Sequence, residues 1–269
     1  MRDVRPAAVA GTFYPGNAAE LAVAVRECLA GTAAPVAPAA SPKALIVPHA
    51  GYVYSGPIAA GAYARLASLR STIRRVVILG PTHRVAVRGL ALPSARAFAT
   101  PLGDVEVDRE AVATLAGLRQ VVVSDSAHAL EHSLEVQLPV LQSVLDDFRI
   151  VPLAVGDASP GEVAEVLDRL WGGPETLVVV SSDLSHFHGY AQAREIDRAS
   201  ADRILALDGP LDHEEACGAT PINGLLLCAR RRGLAPELID LRNSGDTAGD
   251  RSRVVGYASF AFAGERAHG

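Results

Sequence analysis

Three apolar runs in this chain each stop at a loop that carries a histidine: Lys43-Ala-Leu-Ile-Val-Pro-His49, Arg75-Val-Val-Ile-Leu-Gly-Pro-Thr-His83 and Thr176-Leu-Val-Val-Val-Ser-Ser-Asp-Leu-Ser-His186. Neutral imidazole is a ligand for iron, copper and zinc, so rings gathered at one place could hold a transition metal and leave a position open for substrate. Asp183, three residues before His186, offers a carboxylate ligand or a partner that orients an imidazole. Cys217 precedes a helix for which Thr220 is the expected cap; a helix N-terminus stabilises anions and lowers a thiol pKa, which suits a thiolate ligand or a nucleophile. A buried, inert cysteine is the competing reading. His132 and Glu135 are three apart and could share a helix face as ligands, as an acid–base pair or simply as a helix start. Tyr52 and Tyr54, beside His49, either line a pocket or pack.

Positioning such groups needs strands that end together. Short β-prone runs bounded by proline or glycine read as buried strands, and open α/β sheets bind ligands beyond the carboxyl ends of their strands. Helical periodicity predicts helices over 18–30, 57–69, 108–115, 160–171 and 191–207, and another from Thr220 to about Gly233. Pro57 fits a first helical turn. An amphipathic segment runs from His128 to about Leu145 and contains Pro139, which would kink or delimit it. Further strands are expected at 89–93, 105–107, 120–124, 148–155, 238–241 and 254–262, the first two joined through Thr100-Pro-Leu-Gly-Asp104 as an antiparallel excursion. Residues 32–41, rich in alanine and proline, read as an exposed connection. Strands alternating with helices predict a layered α/β/α sandwich around a mixed, largely parallel central sheet, with residues 1–269 forming one domain.

Composition narrows the function classes. The chain has 269 residues, 49% hydrophobic and 20% charged, which is ample material for a core. A net charge of −5 lends no support to phosphate-driven nucleic-acid binding. Three cysteines, an odd number, suit a reducing cytoplasm rather than a disulfide scaffold. No run reaches the roughly 18 apolar residues of a membrane span, and the N-terminus has no apolar signal core, so a cytoplasmic protein is expected. The sequence holds no GxSxG elbow, GxxxxGK[ST] loop or paired CxxC, which disfavours a serine hydrolase, a P-loop enzyme and a zinc ribbon.

Seven stretches, in order along the chain, resemble the Memo family, whose bacterial members are also known as AmmeMemoRadiSam system protein B. They are Ala10-Gly-Thr-Phe-Tyr-Pro15, Pro48-His-Ala-Gly-Tyr52, Gly80-Pro-Thr-His83, Glu131-His-Ser-Leu-Glu135, Ser181-Ser-Asp-Leu-Ser-His186, Ala216-Cys-Gly218 and Val254-Val-Gly-Tyr257. The family is similar to class III extradiol non-haem iron dioxygenases (LigB-type). The resemblance implies that His49, His83 and Cys217 fall where the metal ligands lie, that His186 corresponds to the dioxygenases' acid–base histidine, and that Asp183 lines the same pocket. It also implies AMMECR-type and radical SAM proteins as pathway partners, and a small-molecule or peptide ligand in the pocket. The dioxygenases use a carboxylate where this chain has Cys217, and a softer thiolate makes copper or zinc more competitive with iron. Three readings stay open: a metal-dependent oxidoreductase, a metal- or partner-binding module without turnover, and a metal- or Cys217-dependent hydrolase.

Overall fold

The structure is a computed structural model and describes residues 3–32 and 41–264; the connection expected over 32–41 falls almost wholly outside them. After β1 (Val4–Arg5), Asn17 caps α1 (Ala18–Ala30), its side chain accepting from the amides of Ala19 and Glu20. β2 (Ala44–Val47), α2 (Tyr52–Tyr63), a 3-10 segment over Ala64–Leu69 and β3 (Arg75–Pro81) come next. Four short strands follow, β4 (Leu90–Leu92), β5 (Ala97–Thr100), β6 (Gly103–Glu106) and β7 (Val121–Val123), with α3 (Arg109–Ala113) before the last. Then come α4 (Asp125–Ala129), α5 (Leu138–Val144), β8 (Arg149–Val155), α6 (Pro160–Leu170), β9 (Thr176–Ser181) and β10 (His186–His188). α7 (Tyr190–Leu205), α8 (Ala219–Arg232), β11 (Leu234–Asn243) and β12 (Val254–Gly264) complete the described chain.

The main sheet runs β10-β12-β2-β9-β3-β8-β4-β7, with β11 paired to β12. Its centre, β2-β9-β3-β8, is parallel, and β12 and β4 flank it antiparallel. Parallel strands are covered on both faces, which is why they read as unbroken apolar runs. Side chains alternate between the faces: Ile46, Val77, Leu79 and Val178 enter the core made with α6, α7 and α8, while Leu45, Val76, Ile78 and Val179 enter the one made with α1, α2 and α5. The molecule is therefore a layered α/β/α arrangement. A second small sheet, β1-β5-β6, holds the N-terminal arm.

Pairing brings the strand tips together. Val47 lies opposite Ser181, and Leu79 opposite Val180, so the loops after β2, β3 and β9 leave the same edge. Close approach there depends on Gly80, where a Cβ would meet Ser133 Oγ at 2.7 Å and push the 131–133 loop off the tip of β3.

Several expectations change. The helix expected from Pro57 begins at Tyr52, because Gly51 turns the chain immediately after His49 and Phe13 O accepts the Tyr52 amide at 2.8 Å; Pro57 lies inside it. The strands at 90–92 and 103–106 do not pair with each other: β4 pairs with β8 and β7, and β6 with the unforeseen β5. The segment from His128 to Leu145 is not one helix but α4, a 3-10 turn at Glu135–Gln137 and α5, with Pro139 in the first turn of α5.

The physical reason for that break is Glu135. It is fully buried and accepts from Arg5, from the amides of Ala8 (2.7 Å) and Val9 (3.0 Å), and from Tyr14 OH (2.5 Å), so it ties the N-terminal arm to the core. Removing one partner of a buried pair strands the other charge, at a cost of about 3–5 kcal/mol. Glu135→Ala should therefore lower stability to chemical denaturation by about that amount, and a loss below ~1 kcal/mol would mean that the arm is not anchored this way.

Candidate metal centre

His49 leaves the tip of β2 and is buried; its ring Nδ1 lies 2.9 Å from Ser181 Oγ at the tip of β9. The direction of that bond follows from its neighbours. A backbone carbonyl only accepts, so Gln137 must turn its amide nitrogen toward Pro48 O (3.0 Å), which leaves its oxygen to accept from Tyr63 OH (2.9 Å). The same nitrogen donates to Ser181 Oγ at 2.8 Å, and Ser181 gives its only proton to Ser133 O at 2.6 Å. Ser181 can then only accept from His49, so His49 carries its proton on Nδ1 and has a lone pair on Nε2. Burial, joined by repulsion from His83, lowers its pKa to about 3.

His83 is set by Glu131. Its Nδ1 lies 2.9 Å from Glu131 Oε1 and its amide donates to Oε2 at 2.6 Å; the amides of His132 (2.8 Å) and Ser133 (2.9 Å) also reach Oε1. Burial alone would raise the Glu131 carboxyl, but these bonds and the His83 ring outweigh it and hold the pKa at about 2. The ionised carboxylate accepts a hydrogen bond from Nδ1–H, and His83 Nε2 is left free in the carboxylate–histidine arrangement typical of metal ligands. His132 stacks on His83 (centroids 4.7 Å, 21°) and meets Phe13 edge-on at 4.8 Å. Burial, then His49, lowers its pKa to about 4. One nitrogen from each of His49, His83 and His132 lies within 4.8 Å of the others, a group able to hold a metal ion.

Cys217 sits beside this group, with Sγ 3.4 Å from His49 Nε2. From ordinary zinc–nitrogen and zinc–sulfur bond lengths, two ligands on one tetrahedral ion lie about 3.5 Å apart, so the pair fits a shared ion. The low thiol pKa expected from a helix end is not found: burial, then the Asp183 charge, push it up to about 12. Nor is Thr220 the cap. α8 begins at Ala219, Gly218 N–H donates to Ser182 Oγ at 2.9 Å, and Thr220 Oγ1 faces His213 Nε2 at 3.3 Å.

Asp183 is buried and accepts the His49 amide at 2.7 Å; burial raises its pKa against that bond. His186, half-buried on β10, turns Nδ1 to Leu184 O at 2.8 Å. Glu135 faces the N-terminal arm and makes no pair with His132. Tyr52 takes the packing alternative, its hydroxyl donating to Val136 O at 2.8 Å, whereas Tyr54 is partly exposed. The sequence alone assigns no role to Glu131, Ser181, Gln137 or Tyr257. Glu131 adjoins His132, the one signal that could have found it. Tyr257 is buried, and Asp183 adds to that burial in raising its pKa.

These observations define an α/β/α protein with a histidine cluster at the carboxyl edge of its parallel strands. A similar fold occurs in the uncharacterized protein JW3007 from Escherichia coli K12, at a TM-score of 0.50 and 14% identity, covering 80% of this chain and 98% of that one. The chain belongs to the Memo family: the family described as Memo-like protein matches residues 5–261. Among its relatives, a MEMO1 family protein of Ignicoccus hospitalis is 39% identical, covering 96% of this chain and 98% of the relative. MEMO1 family protein MK0963 of Methanopyrus kandleri is 38% identical over the same shares. No described helix is long and apolar enough to cross a membrane.

The neutral imidazoles imply a pH dependence. His49 and His132 bind protons near pH 6.5 when unfolded but only at about 3 and 4 when folded, so below pH 6.5 the unfolded state binds more protons. Their contribution is complete above pH 6.5 and is lost as pH falls toward those lower values. In chelator-treated protein, urea midpoints should fall between pH 7.5 and 5, above the range where Glu131 titrates, and His132→Phe should flatten the fall. Midpoints independent of pH in that window would contradict the buried neutral state.

Proposed function

We propose that the protein is a metal-dependent oxidoreductase that holds one iron or copper ion, with zinc as a redox-silent competitor, through His49, His83 and the Cys217 thiolate. The observation that carries this reading is the commitment of Nδ1 in both histidines, to Ser181 and to Glu131, which leaves two Nε2 lone pairs in the cluster that Cys217 adjoins. When bound, the ion supplies Lewis acidity and electron exchange to a small-molecule or peptide ligand.

The remaining work falls to the chain. Glu131 and Ser181 hold the two rings in the tautomer that exposes Nε2, and burial keeps His49 neutral without an energetic penalty at pH 7. Cys217 gives up its proton on ligation. His186, with Nδ1 occupied by Leu184 O, keeps Nε2 for proton exchange with the ligand, and Asp183 is a buried carboxyl near it whose pKa burial raises. An unassisted Cys217 nucleophile is disfavoured, because a reactive thiol needs a cationic neighbour and this one has burial and a carboxylate.

Elemental analysis should find one ion per chain in the wild type, a loss in His49→Ala and His83→Ala, and retention in His132→Ala. Equal content in all of them would refute the ligand set. The third ligand can be tested separately, because ligation through Cys217 releases one proton more than ligation through the already neutral His132. Zinc titration calorimetry in buffers of different ionisation enthalpy should show that proton, and Cys217→Ser should abolish it. His186→Ala should keep the metal and lose about a hundredfold to ten-thousandfold in turnover of any substrate identified. Loss of the metal in that variant would make His186 a ligand instead.

A further inference from the structure

His186 rests on a single carbonyl. Because Leu184 O can only accept, the imidazole carries its proton on Nδ1, 2.8 Å away. That oxygen belongs to the Leu184–Ser185 peptide group, and the N–H of the same group donates to Asp197 Oδ1 at 3.0 Å. The order is carboxylate, amide, imidazole. Asp197 reaches it from α7 and is 2% exposed.

The surroundings are built to admit that carboxylate. A Cβ on Gly256 would lie 2.1 Å from Asp197 Oδ2, so only glycine leaves it room. Gly256 also brackets the peptide group: its carbonyl accepts from Leu184 N–H and its N–H donates to Ser185 O, each at 2.8 Å. This gives the Gly256 of the Val254-Val-Gly-Tyr257 stretch a purpose separate from the metal cluster. Burying a carboxylate costs several kcal/mol, and a neutral amide would satisfy one N–H equally well. Hydrogen bonds in series polarise one another, so a negative charge at the amide N–H strengthens the carbonyl as acceptor for the imidazole and favours the imidazolium. Burial raises the Asp197 carboxyl, opposed by its bond from the Ser185 amide and by the nearby His186 and His188.

We propose that Asp197 is a positioning residue for His186, fixing its tautomer and stabilising its protonated form through the Leu184–Ser185 peptide group. The proposal rests on the reading of His186 as the acid–base group and is independent of which side chains hold the metal. Asp183 and His49 also lie within electrostatic reach of His186, and His188 shares the field of Asp197.

The test is Asp197→Asn in the full-length protein as purified, which keeps an oxygen acceptor for Ser185 N–H and removes only the charge. The pH dependence of imidazole acylation by diethyl pyrocarbonate, resolved by residue with mass spectrometry, reports each histidine. The His186 midpoint should fall by about one unit, a tenfold rise in its acid dissociation constant, and His188 should move less. An unmoved His186, or equal shifts at both histidines, would overturn the proposal, the latter because it indicates a through-space field alone. Metal content is measured alongside; its absence from wild type and variant alike would sink the metal reading and leave this comparison intact. Should the variant not fold, the wild-type Ser185 amide resonance decides. It must move with the His186 titration, and an amide indifferent to it would overturn the relay.

Discussion

The Glu131 carboxylate is the constraint on which the site depends. It lies nearly inaccessible to water and accepts four N–H bonds, three from backbone amides at 83, 132 and 133 and one from the His83 ring. A buried carboxylate without such donors would take up a proton. Because its donors come from the loop after β3 and from the 131–133 turn, satisfying it pins two segments distant in sequence into one frame. His83 and His132 are stacked as a by-product of that requirement. His49 joins through a second frame, the Tyr63–Gln137–Ser181–Ser133 bonds, and the two frames share Ser133, whose amide serves Glu131 and whose carbonyl serves Ser181. Fixing either tautomer therefore constrains the other.

What could be read from the sequence follows the same physics. The parallel strands β2, β3 and β9 were legible because burial on both faces leaves an unbroken apolar run, and the loops after them had to emerge on one edge once the strands were parallel. Helix α1 was legible from a cap and a periodicity that both lie within its own residues. β1, β5 and β10 were not, because these strands of two to four residues carry no unbroken β-branched run of their own and are defined by the partners they pair with. The interrupted helix after His128 was hidden for a related reason. Glu131 and Glu135 look like residues on one helical segment, and nothing local announces that one will satisfy amides of a distant loop while the other satisfies Arg5 and Tyr14.

Cys217 shows how a sound local rule is overruled. A thiol ahead of a helix should ionise easily, but its α8 is preceded by a turn whose amide at Gly218 is already given to Ser182, and Asp183 stands close by. Desolvation and a like charge act in the same direction, and a partial dipole cannot outweigh them.

Charge accounting then ties the parts together. At pH 7 the cluster offers neutral imidazoles at His49 and His132, a neutral thiol at Cys217 and negative charge from Glu131, while burial pushes the Asp183 carboxyl toward its protonated form. Such a set is poor in positive charge and rich in lone pairs. Introducing a divalent cation while Cys217 loses one proton adds a single net positive charge beside the Glu131 carboxylate and favours ionisation of Asp183. One ion then favours the ionised form of both groups that burial holds back, the Asp183 carboxyl and the Cys217 thiol. A carboxyl in place of Cys217 ionises more readily than the thiol and would bring negative charge to the site before the metal arrives. On this accounting, the cysteine is suited to a site that must fold around neutral groups and acquire its charge only on loading.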